Sequence, residues 1–546
     1  MKALLLYPDR EWTRPEMYFD EKNITRDLGL NLLYSVAGKK VLYENGQVRK
    51  VSDADGFITD VMHKVMMTPL GTEREIRYRQ HVIADCIENE ALIRSLYELS
   101  ENMLLEWEKL GRYVNGRNPG RDNASKLITR VYEFRLFLGT LGSLRALLNE
   151  YRDKVQSEGL GSLCDRFTEE FPTEWEVELS ELSSRIAFYV DDDATDDTRA
   201  TIRVPRIVLG CGLGSDLRFQ DFRLESIETI NRKYRNPKGT ISRIQGYLDS
   251  LTPDSVSCDA TPQARKQTAA LEYAVVKYIM SYTEPFLQAF ENFFDALHFQ
   301  TAFYVGAVNL IHHIHRFELD YCYPDVGTQD GLSFDNLKEF VMCLGQRITA
   351  VGNSCEMKHK MLIIVTGANQ GGKSTFLRSI GIAQVMMQCG LMVVAERYES
   401  GIFPSLFMHF TRREDSQMNS GRLDEELRRM DQIIRNLGPD SLILLNESFA
   451  TTTEKDGSEI CYDIIRALTE AGVKILSVTH LLSFAQKIYA EASAREQEGA
   501  DSGVAFLSAE RKEDGSRTYK MIQSVPELTS FGLDLYEKII EEGNNE

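Results

Sequence analysis

The sequence has no regular arrangement of cysteines. Its nine cysteines are scattered, and none forms a C-x-x-C pair or recurs at a fixed interval. This distribution excludes a disulfide framework and a zinc site built on the usual cysteine spacing. We therefore expect reduced thiols, which are typical of a cytoplasmic protein.

Long apolar runs are also missing. The apolar stretch at the start of the sequence ends at Pro8, too soon for a signal peptide, and no later run approaches the ~20 residues that span a membrane. The sequence contains no internal repeat and no low-complexity segment. These absences predict a soluble intracellular protein that lies in the cytoplasm and has no membrane partner.

The chain has fewer basic residues than acidic ones. The chain carries 63 Lys and Arg against 82 Asp and Glu, which gives a formal net charge of -19. Such a surface does not coat nucleic acid indiscriminately, because phosphate binding needs clustered Lys and Arg, although a local basic groove is compatible with it. The 546 residues, of which 43% are hydrophobic, are expected to form about two to four domains.

Helical periodicity dominates the first part of the chain. It runs from about residue 62 to residue 178, with a predicted loop at residues 115–120. Apolar runs between residues 186 and 227 predict short strands and therefore a small β insertion. Helical periodicity returns from Gln263 to about Phe317.

The C-terminal part has the pattern of an α/β domain. Apolar runs at residues 362–366, 442–445 and 473–479 predict strands that are separated by helices. The fold class is therefore multidomain, α and α/β. A largely helical region with a small β insertion precedes a C-terminal P-loop domain.

Residues 367–374 carry the clearest motif. They read G-A-N-Q-G-G-K-S, which fits the pattern G-x-x-x-x-G-K-[ST], and they lie between a predicted strand and a predicted helix from Ser374 to Gln388. A glycine-rich turn with an accidental lysine does not explain that context. Backbone N–H groups and the helix N-terminus attract phosphate, Lys373 reaches the β and γ phosphates of ATP, and Ser374 ligates Mg²⁺. The residues expected to bind ATP here are Gly367, Asn369, Gly371, Gly372, Lys373, Ser374 and Thr375.

A second polar pair follows the apolar run at residues 441–445. Asn446 and Glu447 lie where a P-loop protein places a carboxylate on the metal side and a base that orients water. Glu447 is the candidate catalytic base. Asn446, which contacts Mg²⁺ through water, stands where such proteins usually carry Asp, so the metal shell has one negative charge less. We therefore expect ATP binding to survive better than turnover.

His480 follows the third predicted strand. We expect it to hydrogen-bond the γ-phosphate or the attacking water, although a single histidine after a strand is more often a polar loop residue. His312, His313 and His315 suggest a metal site at first sight. Only some of them share a helix face, and no second ligand pair is evident, so structural histidines are favoured.

Taken together, these segments resemble the MutS family of DNA mismatch repair ATPases. The phosphate loop resembles that family's G-P-N-M-G-G-K-S-T, with Ala368 and Gln370 in place of Pro and Met. Residues 446–457 resemble D-E-x-G-R-G-T-S-x-x-D-G, and residues 479–480 match the family's T-H. Residues 530–533 are similar to its S-Y-G-I.

The resemblance implies an ABC-type ATPase that works as a dimer with ATP and Mg²⁺. Residues 410–412 look like the family's F-T-R segment, and Ser420 looks like the serine that meets the nucleotide of the partner subunit. The partner is then a second copy or a related chain. DNA, double-stranded and mismatched or branched, is the implied ligand.

The resemblance extends more weakly upstream, where residues 68–70 look like the start of the family's helical core domain. It implies three parts. They are a short N-terminal segment (1–60), a helical core and lever domain with a small clamp-like insertion near 186–227 (61–330), and the MutS-like ATPase domain (331–546).

Several departures from the family limit this interpretation. Mismatch-reading members carry an N-terminal domain with an F-x-E wedge and a connector domain, and the roughly sixty residues before the core cannot hold both. Residues 19–21 spell F-x-E, but so short a pattern occurs by chance. Phe449, Ala450 and Thr451 replace the G-R-G of the family. The expectation is a shortened MutS-like protein.

Two functions are compatible with these observations. The first is an ATP-dependent DNA-binding clamp or sensor of the MutS type, dimeric, acting on duplex, mismatched or branched DNA in repair or recombination. The second is a nucleotide-switched interaction protein with weak or no hydrolysis and no direct mismatch recognition, which Asn446, the small insertion and the acidic balance favour. A transporter or a long coiled-coil ATPase is disfavoured, because the sequence has neither membrane segments nor long heptads.

Overall fold

The structure of the chain is a computed structural model. It describes residues 2–12, 18–44, 47–115, 123–172, 177, 200–213, 219–234, 262–346, 350–411, 421–512 and 516–526. Contacts divide the chain into two compact units, a helical unit and a nucleotide unit. The helical unit comprises Met1–Ala3, Ala91–Gln156 and Leu160–Thr301, and the nucleotide unit comprises Leu4–Glu90, Ser157–Gly159 and Ala302–Glu546. The three-part domain division stays a prediction.

The elements before residue 317 are mostly helices. In chain order they are β1 (Tyr18–Phe19), α1 (Glu21–Leu28), α2 (Leu30–Ala37), β2 (Val41–Glu44), β3 (Gln47–Val51), α3 (Gly56–Met66), α4 (Glu73–Glu88), α5 (Glu90–Asn115), α6 (Asn123–Tyr151), α7 (Glu158–Glu170), β4 (Ala200–Leu213), β5 (Phe219–Tyr234) and α8 (Pro262–Arg316).

Strands and helices alternate in the rest of the chain. They are β6 (Asp325–Val326), β7 (Leu332–Leu337), α9 (Phe340–Gln346), β8 (Asn353–Met357), β9 (Leu362–Thr366), α10 (Lys373–Gln388), β10 (Arg397–Ser400), β11 (Ser405–Phe410), α11 (Arg422–Asn436), β12 (Leu442–Asn446), α12 (Glu454–Glu470), β13 (Lys474–Val478), α13 (Leu482–Gln497), β14 (Val504–Arg511) and β15 (Arg517–Gln523).

A seven-stranded sheet organises the nucleotide unit. Its strand order is β1-β11-β12-β13-β9-β14-β15, and neighbouring strands are parallel except for β14 and β15. Every residue of β9 and β13 is buried. Strands of a parallel sheet that is covered on both faces are continuous apolar runs, which is why these short runs predicted strands correctly.

Helices cover both faces of this sheet. On one face, Ile364 of β9 and Ile443 of β12 share a core with Met430 of α11 and Ile465 of α12. On the other face α10 lies very close to the strands. A Cβ at Gly381 in α10 would come within 2.9 Å of the ends of the Leu444 and Met408 side chains, so a larger residue there would require these side chains to shift.

The segment that begins at Leu4 belongs to the same unit and is fixed by Arg79 of α4. This side chain is fully buried and donates to the carbonyl of Leu6 from Nε (3.3 Å) and from the second guanidinium nitrogen (3.1 Å). It also donates to the carbonyl of Cys389, the C-cap of α10, over 2.9 Å. A positive charge at a helix C-terminus is favourable, so Arg79 links α4, the N-terminal segment and the phosphate-loop helix.

A second, four-stranded sheet has the order β6-β10-β7-β8. Lys474, the first residue of β13, reaches the loop between β6 and β7 and donates to the carbonyls of Gln329 (3.1 Å) and Gly331 (2.9 Å). The lysine is 1% exposed, and burial lowers its pKa to about 7 although the nearby Asp330 opposes that change.

The helical unit contains most of α5, α6 and α7 and the larger part of α8, a continuous helix that includes Pro285. Aromatic side chains fill its core: Phe290 of α8 packs edge-on against Phe137 of α6, with ring centroids 4.2 Å apart. Phe293 and Phe294 are also buried. These aromatic side chains of α8 therefore serve as packing in the helical unit.

The β insertion differs from its prediction in length. Short strands were expected between residues 186 and 227, but β4 is a single strand of 14 residues that continues through Pro205 and pairs with β5 as an antiparallel hairpin that ends at Tyr234. In a two-stranded ladder half of the N–H groups point away from the partner strand, so a proline there need not remove a ladder hydrogen bond. The strand predicted at residues 186–190 and the loop at 116–120 lie outside the described residues.

Among the described residues, no helix has the length and apolar character that crossing a membrane requires.

Candidate active site

Three predicted site segments meet at the carboxyl end of the parallel sheet. Residue 367 follows β9, Glu447 follows β12, and residue 479 follows β13, which lies between the other two strands. The register places Asn446 opposite Val478, and Val478 opposite Val365. The polar residues that the sequence spreads over more than a hundred positions are therefore neighbours.

The loop after β9 has the backbone of a phosphate cradle. Gly367 and Gly372 have φ angles of 111° and 91°, which residues with a side chain rarely adopt. A Cβ on Gly371 would lie 2.8 Å from the Cβ of Ala509 and 2.9 Å from the carbonyl of Ala368. Gly372 precedes α10 without a side-chain cap, so the first N–H groups of the helix are left for an anion.

Lys373 lies inside this loop. Its side chain is 4% exposed, and Nζ donates to the carbonyls of Gly367 (2.8 Å) and Ala368 (3.0 Å). Burial lowers the pKa of Lys373, and the charge of Glu447 partly offsets that effect. A phosphate anion in the loop would stabilise the buried ammonium further, so the cradle suits a triphosphate.

Ser374 and Asn446 form the second contact of the site. Ser374 Oγ donates to Asn446 Oδ1 over 2.9 Å, and both residues are half-buried. A hydroxyl and an amide oxygen are hard donors that suit Mg²⁺, but they carry no charge of their own. The donor set therefore fits the metal, with less electrostatic attraction than an aspartate would give.

Glu447 begins a sharp turn directly after β12. Its φ angle is 54°, and its N–H donates to the carbonyl of Val478 over 2.8 Å. The Thr411 hydroxyl donates to the carbonyl of Glu447 over 2.6 Å. The backbone of the candidate base is therefore held from two neighbouring strands.

His480 follows β13 at the same end of the sheet and is half-buried. The Thr479 N–H donates to the carbonyl of Val365 over 3.0 Å, and the Thr479 hydroxyl accepts from the N–H of Leu481 over 3.0 Å. These contacts fix the backbone around His480. Its charge is one of the smaller causes that lower the pKa of Glu454, after the hydrogen bonds from Ser483.

The other predicted site residues lie on the phosphate loop, in the first turn of α10, or outside the described residues. Asn369 is exposed on the phosphate loop, and Thr375 is half-buried in the first turn of α10. Ser420 lies outside the described residues, as do Arg412 and the segment 530–533. Among the three histidines considered as metal ligands, His312 pairs with Glu90 (3.1 Å).

The hairpin of β14 and β15 supports the phosphate loop, which the sequence did not predict. Arg517 donates to Gln370 Oε1 over 2.8 Å, although 147 positions separate the two residues. Ala509 packs against Gly367 and Gly371, and the Tyr519 ring lies beside Gly372. No local motif marks these residues, so no sequence signal identifies them.

Two sequence comparisons bear on this arrangement. Residues 363–540 match MutS domain V, and residues 71–191 match the MutS2 N-terminal domain. Over both matched segments the chain is similar to proteins of the MutS family. Its mixed helical and α/β architecture, with the parallel sheet in the nucleotide unit, is consistent with MutS domain V.

Individual MutS relatives match over parts of the chain. The DNA mismatch repair protein MutS of Petrotoga mobilis is 30% identical over 33% of this chain and 22% of its own length. The MutS of Streptococcus mutans is 24% identical over 53% of this chain and 35% of its own length. The endonuclease MutS2 of Thermus thermophilus is 28% identical over 32% of this chain and 23% of its own length. The matches thus span between about a fifth and a third of these relatives.

Proposed function

We propose that this MutS-like chain is an ATP-dependent DNA-binding protein that works as a dimer and hydrolyses ATP slowly. One observation carries the ATP part of the proposal. The buried Lys373 inside the glycine loop lies next to the Ser374–Asn446 contact, at the end of the sheet where Glu447 also lies. A P-loop ATPase of the ABC type has this set of groups.

The residues have separate roles in this proposal. Gly367, Asn369, Gly371, Gly372 and Thr375 bind the phosphates through the loop and the first turn of α10, and Lys373 reaches the β and γ phosphates. Mg²⁺, when bound, neutralises charge on the phosphates, with Ser374 as a ligand and Asn446 in contact through water.

Glu447 orients the attacking water and accepts its proton. His480 donates a hydrogen bond to the γ-phosphate or to that water. Because Asn446 is neutral, the site binds ATP more effectively than it stabilises the transition state of hydrolysis.

DNA binding and dimerisation rest on the relatives and on the sequence. Two of the relatives described above are named as DNA mismatch repair proteins and one as an endonuclease. In the proposed dimer, Ser420 of each subunit meets the nucleotide of the other. Residues 61–330 form the core and lever domain with a clamp-like insertion, residues 331–546 form the ATPase domain, and residues 1–60 precede them.

ATP and DNA binding together test the proposal. We expect ATP to bind the wild-type chain and not the Lys373→Ala variant, because the alanine removes the cation that faces the phosphates. We also expect duplex, mismatched or branched DNA to bind with an affinity that falls as salt rises and that ATP changes. The dimer is tested by a mass measurement in solution with ATP and Mg²⁺.

The results distinguish the proposal from its competitor. ATP binding without DNA binding at low salt, in the presence and absence of ATP, would identify a nucleotide-switched interaction protein. Absence of ATP binding to the wild-type chain would contradict both.

A further inference from the structure

Helix α11 is attached to the turn of residues 447–451 and to the end of β11. Three side-chain hydrogen bonds make this attachment: Arg429 to the Phe410 carbonyl (3.0 Å), His409 Nε2 to the Glu426 carbonyl (3.2 Å), and Thr451 Oγ1 to Glu426 Oε2 (2.8 Å). The third contact directly reaches the turn that Glu447 begins. His409 reaches the same turn as well, because its Nδ1 shares a hydrogen bond with Ser448 Oγ (2.7 Å). A displacement of α11 therefore acts on the turn through Glu426 and Thr451 and through His409 and Ser448.

Glu426 is an unusual residue for this position, because its side chain is 4% exposed. Burial raises its pKa, while the Thr451 hydroxyl, the Arg429 charge and the Thr411 hydroxyl oppose the rise. In the described part of the chain, Glu426 Oε1 is buried without a hydrogen-bond partner. A half-satisfied buried carboxyl group destabilises a fold, so packing alone does not explain its presence.

Within the turn of residues 447–451, two of the positions that differ from the family pattern carry side chains that contact Glu426 or His409. Thr451 replaces a family glycine, and its hydroxyl is the group that reaches Glu426. Phe449 replaces another glycine. It is fully buried at a φ angle of 63° and stacks on His409, with ring centroids 5.6 Å apart. Side chains thus fix a turn that glycines would leave free.

Thr411 holds the same turn from the end of β11. Its hydroxyl donates its proton to the Glu447 carbonyl (2.6 Å). Thr411 is the last described residue before the segment 412–420, and α11 begins just after that segment. The contacts around Glu447 therefore come from residues on both sides of Ser420 in the sequence, the residue that the proposed function assigns to the partner's nucleotide.

We propose that Glu426 and Thr451 are positioning residues that hold the 447–451 turn, so that the position of α11 sets the hydrolysis rate at Glu447. This inference rests on the proposed function. Neither residue belongs to the phosphate loop.

Substitutions that break or keep the oxygen-to-oxygen contact test the pair. Thr451→Val removes the donor, and Glu426→Met removes the acceptor with little change in volume. Thr451→Ser and Glu426→Gln keep an oxygen at each position. A matched control is Thr469→Val in α12, since the Thr469 hydroxyl only donates to the carbonyl of Ile465 (2.8 Å).

Single-turnover hydrolysis and ATP affinity are measured on the full chain. We expect Thr451→Val and Glu426→Met to slow hydrolysis by about tenfold, because a small displacement of a reacting group has effects of this size. ATP affinity should change by less than about twofold, since the phosphate cradle is intact. Thr451→Ser, Glu426→Gln and Thr469→Val should hydrolyse ATP at nearly the wild-type rate.

Amide hydrogen exchange of α11 gives a readout that does not depend on turnover. ATP should slow exchange in residues 422–436 of the wild-type chain and should have a much smaller effect in Thr451→Val and Glu426→Met. If both variants match the wild type in rate and in exchange, the inference is wrong while the proposed function stands. A wild-type chain that binds no ATP would instead remove the proposed function.

Discussion

Ser374 Oγ donates a hydrogen bond to Asn446 Oδ1 over 2.9 Å, and this contact joins the first turn of α10 to the end of β12. An aspartate at residue 446 would accept the same bond and add a negative charge beside the site that Mg²⁺ is expected to occupy. The neutral amide keeps the geometry and omits the charge. Geometry and charge can therefore be separated by experiment at this position.

The first prediction concerns Asn446→Asp. Because the carboxylate attracts Mg²⁺ more strongly, we expect hydrolysis to accelerate by about tenfold, or about 1.4 kcal/mol of barrier, and the Mg²⁺ concentration for half-maximal rate to fall. Steady-state phosphate release across a Mg²⁺ titration measures both. A rate equal to that of the wild type at saturating Mg²⁺ would show that the missing charge does not limit turnover.

The second prediction concerns Glu447→Gln. Loss of the base should slow hydrolysis by about a hundredfold, while ATP affinity stays within about twofold of the wild type. Phosphate release and nucleotide binding give the two quantities, and the exposed Glu459→Gln in α12 is the matched control. Unchanged turnover in Glu447→Gln would refute the assignment of the base.

The third prediction concerns the buried Arg79. In Arg79→Met the carbonyls of Leu6 and Cys389 lose their donor, so we expect the nucleotide unit to lose about 3 kcal/mol of stability. Urea unfolding measures the change. Arg74→Met, at an exposed position of the same helix, should have little effect. Equal unfolding midpoints for the two variants would contradict the role of Arg79.

The fourth prediction concerns pH. The pKa of Lys474 is about 7 in the folded chain and 10.5 is its ordinary value, so between these values the unfolded chain binds more protons. Stability then rises with pH across this window, by up to about 1.4 kcal/mol per unit. We expect the wild type to gain stability relative to Lys474→Met between pH 7 and pH 9, where the methionine cannot titrate.

Denaturant unfolding at pH 7, 8 and 9 gives that difference. The exposed Lys455→Met in α12 is the control, and its stability should remain parallel to that of the wild type. A constant difference between the wild type and Lys474→Met over this range would show that the buried lysine titrates near its ordinary pKa.

The parts of the site that the sequence predicted are those in which a local motif coincides with an apolar run. Gly367 to Ser374 follow β9, and Asn446 and Glu447 follow β12. In a parallel sheet, residues that follow neighbouring strands meet at the same end, so motif and strand together determine the geometry. The order of β9, β12 and β13 in the sheet then determines which of these residues are neighbours.

Contacts over long sequence separations were not predictable. Arg517 and Gln370 meet because β14 pairs with β9, and no composition or spacing near either residue indicates that pairing. The same holds for Arg79 and the carbonyl of Cys389. Phe449 was recognised only as a departure from the family, whereas its buried, left-handed conformation depends on the fold around His409.

Strand β1 has a consequence for how this protein can be divided. It pairs with β11, whose residues are all buried, and it forms the outer strand of the sheet on that side. A fragment that contained only residues 331–546 would present β11, S-L-F-M-H-F, as an uncovered apolar edge. Such edges recruit strands from other molecules, so this fragment should aggregate, whereas in the full chain β1 covers the Ser405–Leu406 end of that edge.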